Sequence, residues 1–225
     1  MSTLDTIANN FRFHDKALRA VGYTLKSVSY GEKMKGTPAA DKMSKIGSKI
    51  SWVRQTLRVG SELSILKNLL GLIKEGKSMN PLEWYTEVAE SIVGLYFYVV
   101  DHWEWATTVG LIKISKSTAA WLDMETNWAW FYSTVMQTIH RLVGLYLNWK
   151  ALKTAEKKNL SEEDKVKLYK ARRTLLFMLF KGFVDFAQIA YYLKLKIAAG
   201  PIPSYLFGVL ASCMDIFLML MGGSL

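Results

Sequence analysis

The chain has 225 residues, a formal net charge of +10, 51% hydrophobic residues and a slightly positive mean hydropathy. That length fits one domain or one compact membrane unit, and four prolines give little punctuation for a strand-rich fold, so long helices are expected. The charge points to an anionic partner, and the single cysteine, Cys213, excludes an internal disulfide and a paired-cysteine metal site.

The opening MSTLDTIANNFRFHD lacks an apolar core of signal-peptide length, so secretion is not expected. The closing Gly223-Ser224-Leu225 lacks the lysine of a Ser-Lys-Leu peroxisomal address. Residues 3–30 repeat every seven positions. Leu4, Phe11, Leu18 and Leu25 form one row, and Ile7, His14, Val21 and Val28 the other, which predicts an amphipathic helix with a narrow packed seam. Ser2 with Asp5 is its expected cap, and His14 reads as a packed core histidine. The stretch YGEKMKG ends the helix.

Thr37-Pro38 offers a capping hydroxyl and a proline at the first helical position. The helix that follows has the apolar stripe Met43, Ile46, Ile50, Val53 and Leu57, bordered by Lys42 and Lys49 on one side and Arg54 and Arg58 on the other. Such a stripe suits a helix lying in a lipid headgroup layer, with the cations on phosphates. It equally suits a helix packed on a core with solvated lysines. After Gly60, a candidate bend, the stripe rotates to Leu63, Leu66, Leu70 and Ile73. Gly71–Ser78, GLIKEGKS, matches the phosphate-loop pattern, but a helical stripe precedes it and MNP follows. Gly76 therefore reads as a helix C-terminal glycine, and no nucleotide is expected.

The rest is more apolar, with helical segments expected over 82–113, 118–152, 161–198 and 203–222. Ser161 with its acidic followers caps the third of these. None is an uncharged run of ~20 residues; His140, Arg141, Lys181, Asp185 and Asp215 interrupt them. Tryptophans near segment ends favour a membrane over a soluble bundle. The basic connector between them has Tyr169 as its one aromatic, too few for a nucleic-acid face.

No nucleophile motif or histidine metal spacing appears, so no enzyme, cofactor or metal is expected. Glu87, Asp101, Glu90 and Glu104 instead form a polar stripe on an otherwise aromatic helix. With His102, it should face protein, with His140 or Arg141 as partner. Gly208 and Ser212, one turn apart, allow close helix approach.

Four blocks in this order resemble the peroxin-11 family of peroxisomal membrane proliferation proteins. HDKALRAVGYTLK carries Asp15, Lys16, Leu18, Arg19 and Tyr23, and WVRQTLRVG carries Arg54, Leu57, Arg58 and Gly60. LYFYVVDHWEWATTVGL carries Tyr98, Asp101, His102, Trp105 and Gly110, and FVDFAQIAYYL is followed by PIPSYLFGVLASCMDIF. The resemblance implies a protein of the peroxisomal membrane, or of its glycosomal relative, that promotes elongation and division of the organelle. It also implies self-association, fission partners including a dynamin-related GTPase, and membrane remodelling by an N-terminal amphipathic helix. A metabolite pore is the alternative that it carries, and a soluble helical scaffold is a further one.

The fold expected is therefore an all-α integral membrane helical protein with N-terminal amphipathic helices. It divides into an amphipathic region (1–80), an apolar helical pair with the acidic stripe (81–153), a basic connector (154–173) and C-terminal membrane helices (174–225). An anionic phospholipid membrane and the protein itself are its expected partners, and nucleic acid is not.

Overall fold

The computed structural model describes residues 3–76, 78–157 and 161–222, with the side chains of residues 3–9 and of Glu75 left out. The described residues are all-α, with no strand among them. The helices are α1 (Thr3–Met34), α2 (Ala39–Arg58), α3 (Ser61–Glu75), α4 (Pro81–Thr108), α5 (Lys116–Lys157), α6 (Glu162–Tyr192) and α7 (Pro201–Leu220). Two of them, α6 and α7, are long and apolar enough to cross a membrane.

The packing closes on itself. Helix α1 lies against α2, α2 against α4, and α4, α5, α6 and α7 follow in sequence, with α7 returning to α1. Among the described residues, helix α3 packs chiefly on α4.

Local chemistry explains most boundaries. Ser161 accepts a hydrogen bond from the Asp164 amide at 3.2 Å, as the acidic first turn of α6 predicted. Asn80 does the same for Leu82 at 3.0 Å and sets Pro81 at the first helical position of α4. The start of α2 differs from expectation. Pro38 itself is the N-cap, and Thr37 turns back to donate to the Glu32 side chain at 2.8 Å. Gly60, at φ 90°, breaks the chain between α2 and α3, a left-handed conformation that a side chain would strain. Gly76 is right-handed rather than a left-handed terminator. What it provides is space, because a Cβ there would meet the Trp84 indole nitrogen at 2.5 Å.

The expected seam of α1 is not its buried face. His14 and Phe11, Val21 and Val28 are exposed, whereas Asp15, Arg19, Tyr23 and Ser29 are buried. Polar residues at i, i+4, i+8 and i+14 point inward because each finds a partner on a neighbouring helix, while Leu18 and Leu25 of the apolar row are half-buried. The Ser2 cap and the side chains of Leu4 and Ile7 fall outside the described residues, as do Lys77 and Gly223–Leu225. The basic stretch 154–173 lies on the end of α5 and the start of α6, apart from 158–160, which fall outside the description.

Candidate functional site: a buried ion-pair network

The inward row of α1 meets charges from three other helices, α2, α6 and α7. Arg19 Nη2 lies 2.8 Å from Asp185 Oδ1 on α6 and donates a second bond to Gln188 Oε1 at 2.8 Å. Its guanidinium carbon stands 5.3 Å from the Trp130 ring centroid of α5. Lys181 extends the array along α6, 2.7 Å from Asp185 Oδ2 and 3.2 Å from Asp215 Oδ1 on α7. Lys16 Nζ is 3.4 Å from the other Asp215 oxygen. One turn back, Arg54 of α2 donates to the Asp15 carboxylate at 3.1 Å and to its backbone carbonyl at 3.2 Å. Burial alone would raise the Asp15 carboxyl. Arg54, followed by Lys16, Arg58 and Arg19, overrides it and holds the group below the ordinary carboxylate value.

Arg58 closes the array on the α4 side, with Nη2 2.9 Å from Asp101 Oδ1 and the guanidinium 5.7 Å from the Phe97 ring. Asp101 is 1% exposed. Its partner is Arg58, not the expected Arg141 or His140. Arg141 instead donates to the Met178 carbonyl at 3.1 Å and to Gln137, and His140 Nδ1 contacts Thr86 at 3.1 Å. Asp101 Oδ2, Arg58 Nε and His102 Nε2 are buried without hydrogen bonds, which keeps this corner polar.

The other predicted stripe residues are dispersed. Glu87 accepts from Asn68 of α3 at 3.3 Å, Glu90 interacts with His140 and Arg141, and His102 Nδ1 is 3.7 Å from Glu62. Glu104 is half-buried.

The expected membrane-binding residues divide. Lys42, Lys49, Ile46 and Val53 are exposed, while Met43, Ile50 and Leu57 are half-buried. Ile50 packs under Gly22 of α1, where a Cβ would sit 3.2 Å away. Arg54 and Arg58 differ from expectation: they pair with Asp15 and Asp101 at 3.1 and 2.9 Å, because buried carboxylates need a cation beside them. Gly208 and Ser212 are buried where α7 meets α6 and α1. A side chain at Gly208 would collide with Gln188 and Tyr23, and Ser212 donates to the Gly208 carbonyl at 2.6 Å.

The site list read from sequence lacks Asp15, Lys16, Arg19, Lys181, Asp185, Gln188 and Asp215. The available signal was a charge inside an apolar helix, above all Lys181 and Asp185 four residues apart. Among the described residues, no group of ligands is suited to a metal ion, and the array sets Lys16, Arg19, Arg54, Arg58 and Lys181 against Asp15, Asp101, Asp185 and Asp215. Its chemical capacity is to fasten the α1–α2 hairpin onto the later helices.

A helical membrane-type protein whose N-terminal hairpin is ion-paired to its C-terminal helices is the class that fold and site define. The sequence profile of Peroxisomal biogenesis factor 11 (PEX11) matches residues 1–216, so the chain belongs to that family. Membership makes it a peroxisomal biogenesis factor, and it implies the peroxisomal membrane as its location, which two apolar helices fit. Comparison with curated proteins and with solved structures gives no match.

Proposed function

We propose that the protein bends the peroxisomal membrane ahead of elongation and division, with α2 and α3 seated shallowly in one leaflet and further copies of the chain concentrating the effect. The observation that carries this reading is the outer row of α3. Leu63, Leu66, Leu70 and Ile73 are 67%, 42%, 59% and 64% exposed, although the opposite face is fastened to α4. There, Trp84 donates to the Leu72 carbonyl at 2.8 Å and Ile65 approaches Gly94. An apolar row left uncovered beside a packed one suits insertion at a headgroup boundary. On α2, Ile46 and Val53 are likewise exposed, as are Lys42 and Lys49, each lysine worth ~1 kcal/mol near an anionic surface. Area added to one leaflet favours curvature. A fission partner such as a dynamin-related GTPase belongs to the same proposal and rests on the family resemblance.

The test is tubulation of anionic liposomes by the full-length chain. Leu66→Asp with Leu70→Asp should abolish tubules while the protein still resists alkaline extraction. Undiminished tubulation by this variant overturns shallow insertion.

A further inference from the structure

We infer that α4 and α5 face lipid hydrocarbon as α6 and α7 do, so that four helices rather than two form the membrane-embedded wall. The inference rests on the membrane reading above and goes beyond it in span number and orientation. By composition, α4 and α5 are less suited to a membrane than α6 and α7, since over residues 83–107 and 124–149 they carry Glu83, Glu87, Glu90, Asp101, Glu104, Glu125 and Arg141. None of these seven is exposed, and Glu125 accepts a hydrogen bond from the Tyr96 hydroxyl.

What the two helices show outward is different. Between residues 83 and 107, the exposed positions of α4 are Tyr85, Ile92, Tyr96, Val99 and Trp103. Between residues 124 and 149, those of α5 are Tyr132, Ile139, Leu142, Tyr146 and Trp149. Neither window exposes a charge, and each exceeds the ~20 helical residues that cross a hydrocarbon core of roughly 30 Å. No charge is exposed either on α6 between 174 and 192, where Leu176, Phe180 and Phe183 are exposed, or on α7, with Leu206, Leu210, Cys213 and Phe217.

The four windows lie side by side. Thr86 meets His140 across α4 and α5, Phe131 meets Phe186 across α5 and α6, and Phe177 meets Phe217 across α6 and α7. Their ends bear aromatics. Trp103 meets Trp121 edge-on at 6.0 Å at one end, with Tyr191 against Tyr205 at 5.9 Å. At the other end, the Lys150 and Lys153 ammonium groups fold over the rings of Tyr146 and Trp149, at 4.7 and 3.9 Å. Amphipathic rings with cations folded over them mark an interface between hydrocarbon and water. The α1–α2 hairpin has no such face. Its exposed residues mix Phe11 and Val21 with Arg12, His14, Thr24 and Lys49. Water would meet two contiguous apolar faces on α4 and α5, whereas hydrocarbon continues the surface of α6 and α7.

The experiment is spin labelling of the full chain reconstituted in phosphatidylcholine–phosphatidylserine vesicles. Collisions are read with oxygen, which partitions into hydrocarbon, and with a water-soluble nickel chelate. Cys213 itself reports α7. Phe183→Cys, Ile92→Cys and Ile139→Cys, each with Cys213→Ser, report α6, α4 and α5. Oxygen should dominate at all four positions. Nickel dominance at Ile92 and Ile139, with oxygen dominance at Cys213 and Phe183, overturns the four-helix wall and leaves the membrane reading standing. Exclusion of both reagents at Ile92 and Ile139 also overturns it, assigning those faces to a second copy of the chain. Nickel dominance at all four overturns the membrane reading itself.

Discussion

Arg19 and Asp185 stand 166 residues apart in sequence and 2.8 Å apart in space. Arg54 and Arg58 with Asp15 and Asp101 repeat the relationship between α1, α2 and α4. The hairpin formed by α1 and α2 is thus held by charges that its own sequence supplies in excess. Lys16, Arg19, Arg54 and Arg58 face Asp101, Asp185 and Asp215 on the later helices, with Asp15 as the one acidic member of the hairpin array.

Removing one member of a buried pair leaves its partner charged and desolvated. Asp185→Ala should therefore cost about 3–5 kcal/mol, read as a lower unfolding temperature in detergent. Arg19→Met combined with Asp185→Leu removes both charges and should recover most of the loss. A double variant no better than the single one would show that the Lys181 contact of Asp185, not the Arg19 contact, carries the energy.

Arg54 and Arg58 should behave as structural residues. Arg54→Glu with Arg58→Glu places like charges against Asp15 and Asp101 and should prevent stable folding. Lys42→Glu with Lys49→Glu, on exposed positions, should change stability by no more than about 0.5 kcal/mol. The lysine variant should lower binding to anionic vesicles, most strongly at low salt. Sedimentation with vesicles and thermal melts separate the two effects, and equal vesicle binding by the lysine variant would remove these lysines from the lipid contact.

The Asp15 carboxyl gives a pH dependence of defined sign. Its value in the folded chain lies below the ordinary 3.8. The stability that it contributes is complete above 3.8 and is lost as pH falls through the lower folded value. Circular dichroism from pH 6 down to pH 2 should show wild type losing stability more steeply than Asp15→Asn below pH 3.8, from a higher starting point. Parallel acid profiles would mean that Arg54 does not depend on this carboxylate.

Gly208→Leu should be among the more damaging single changes on α7, because Gln188 and Tyr23 occupy the space a side chain needs. A cost of roughly 1–3 kcal/mol is typical where packed neighbours must give way. Leu210→Ala, on the exposed side of the same helix, is the control and should leave the unfolding temperature nearly unchanged.

Helix content was legible in the sequence because local signals decide it. Ser161 before three acidic residues, few prolines and apolar periodicity all act within a turn or two. Seven-residue spacing puts Glu87 and Asp101 on one helix face whatever lies beside it, but the partner of Asp101 was not legible. Arg141 and Arg58 are equally good guanidinium donors by composition, and only the approach of α2 to α4 selects Arg58. The same limit explains the misread seam of α1. Heptad spacing identifies a face that could pack, but which face does pack depends on what the neighbours present. Here α6 and α7 present Asp185 and Asp215 to Arg19 and Lys16. Residue chemistry and periodicity are properties of the chain read in order. The pairing of charges 166 positions apart depends on Coulomb attraction over a few ångströms, a distance that exists only once the helices have packed.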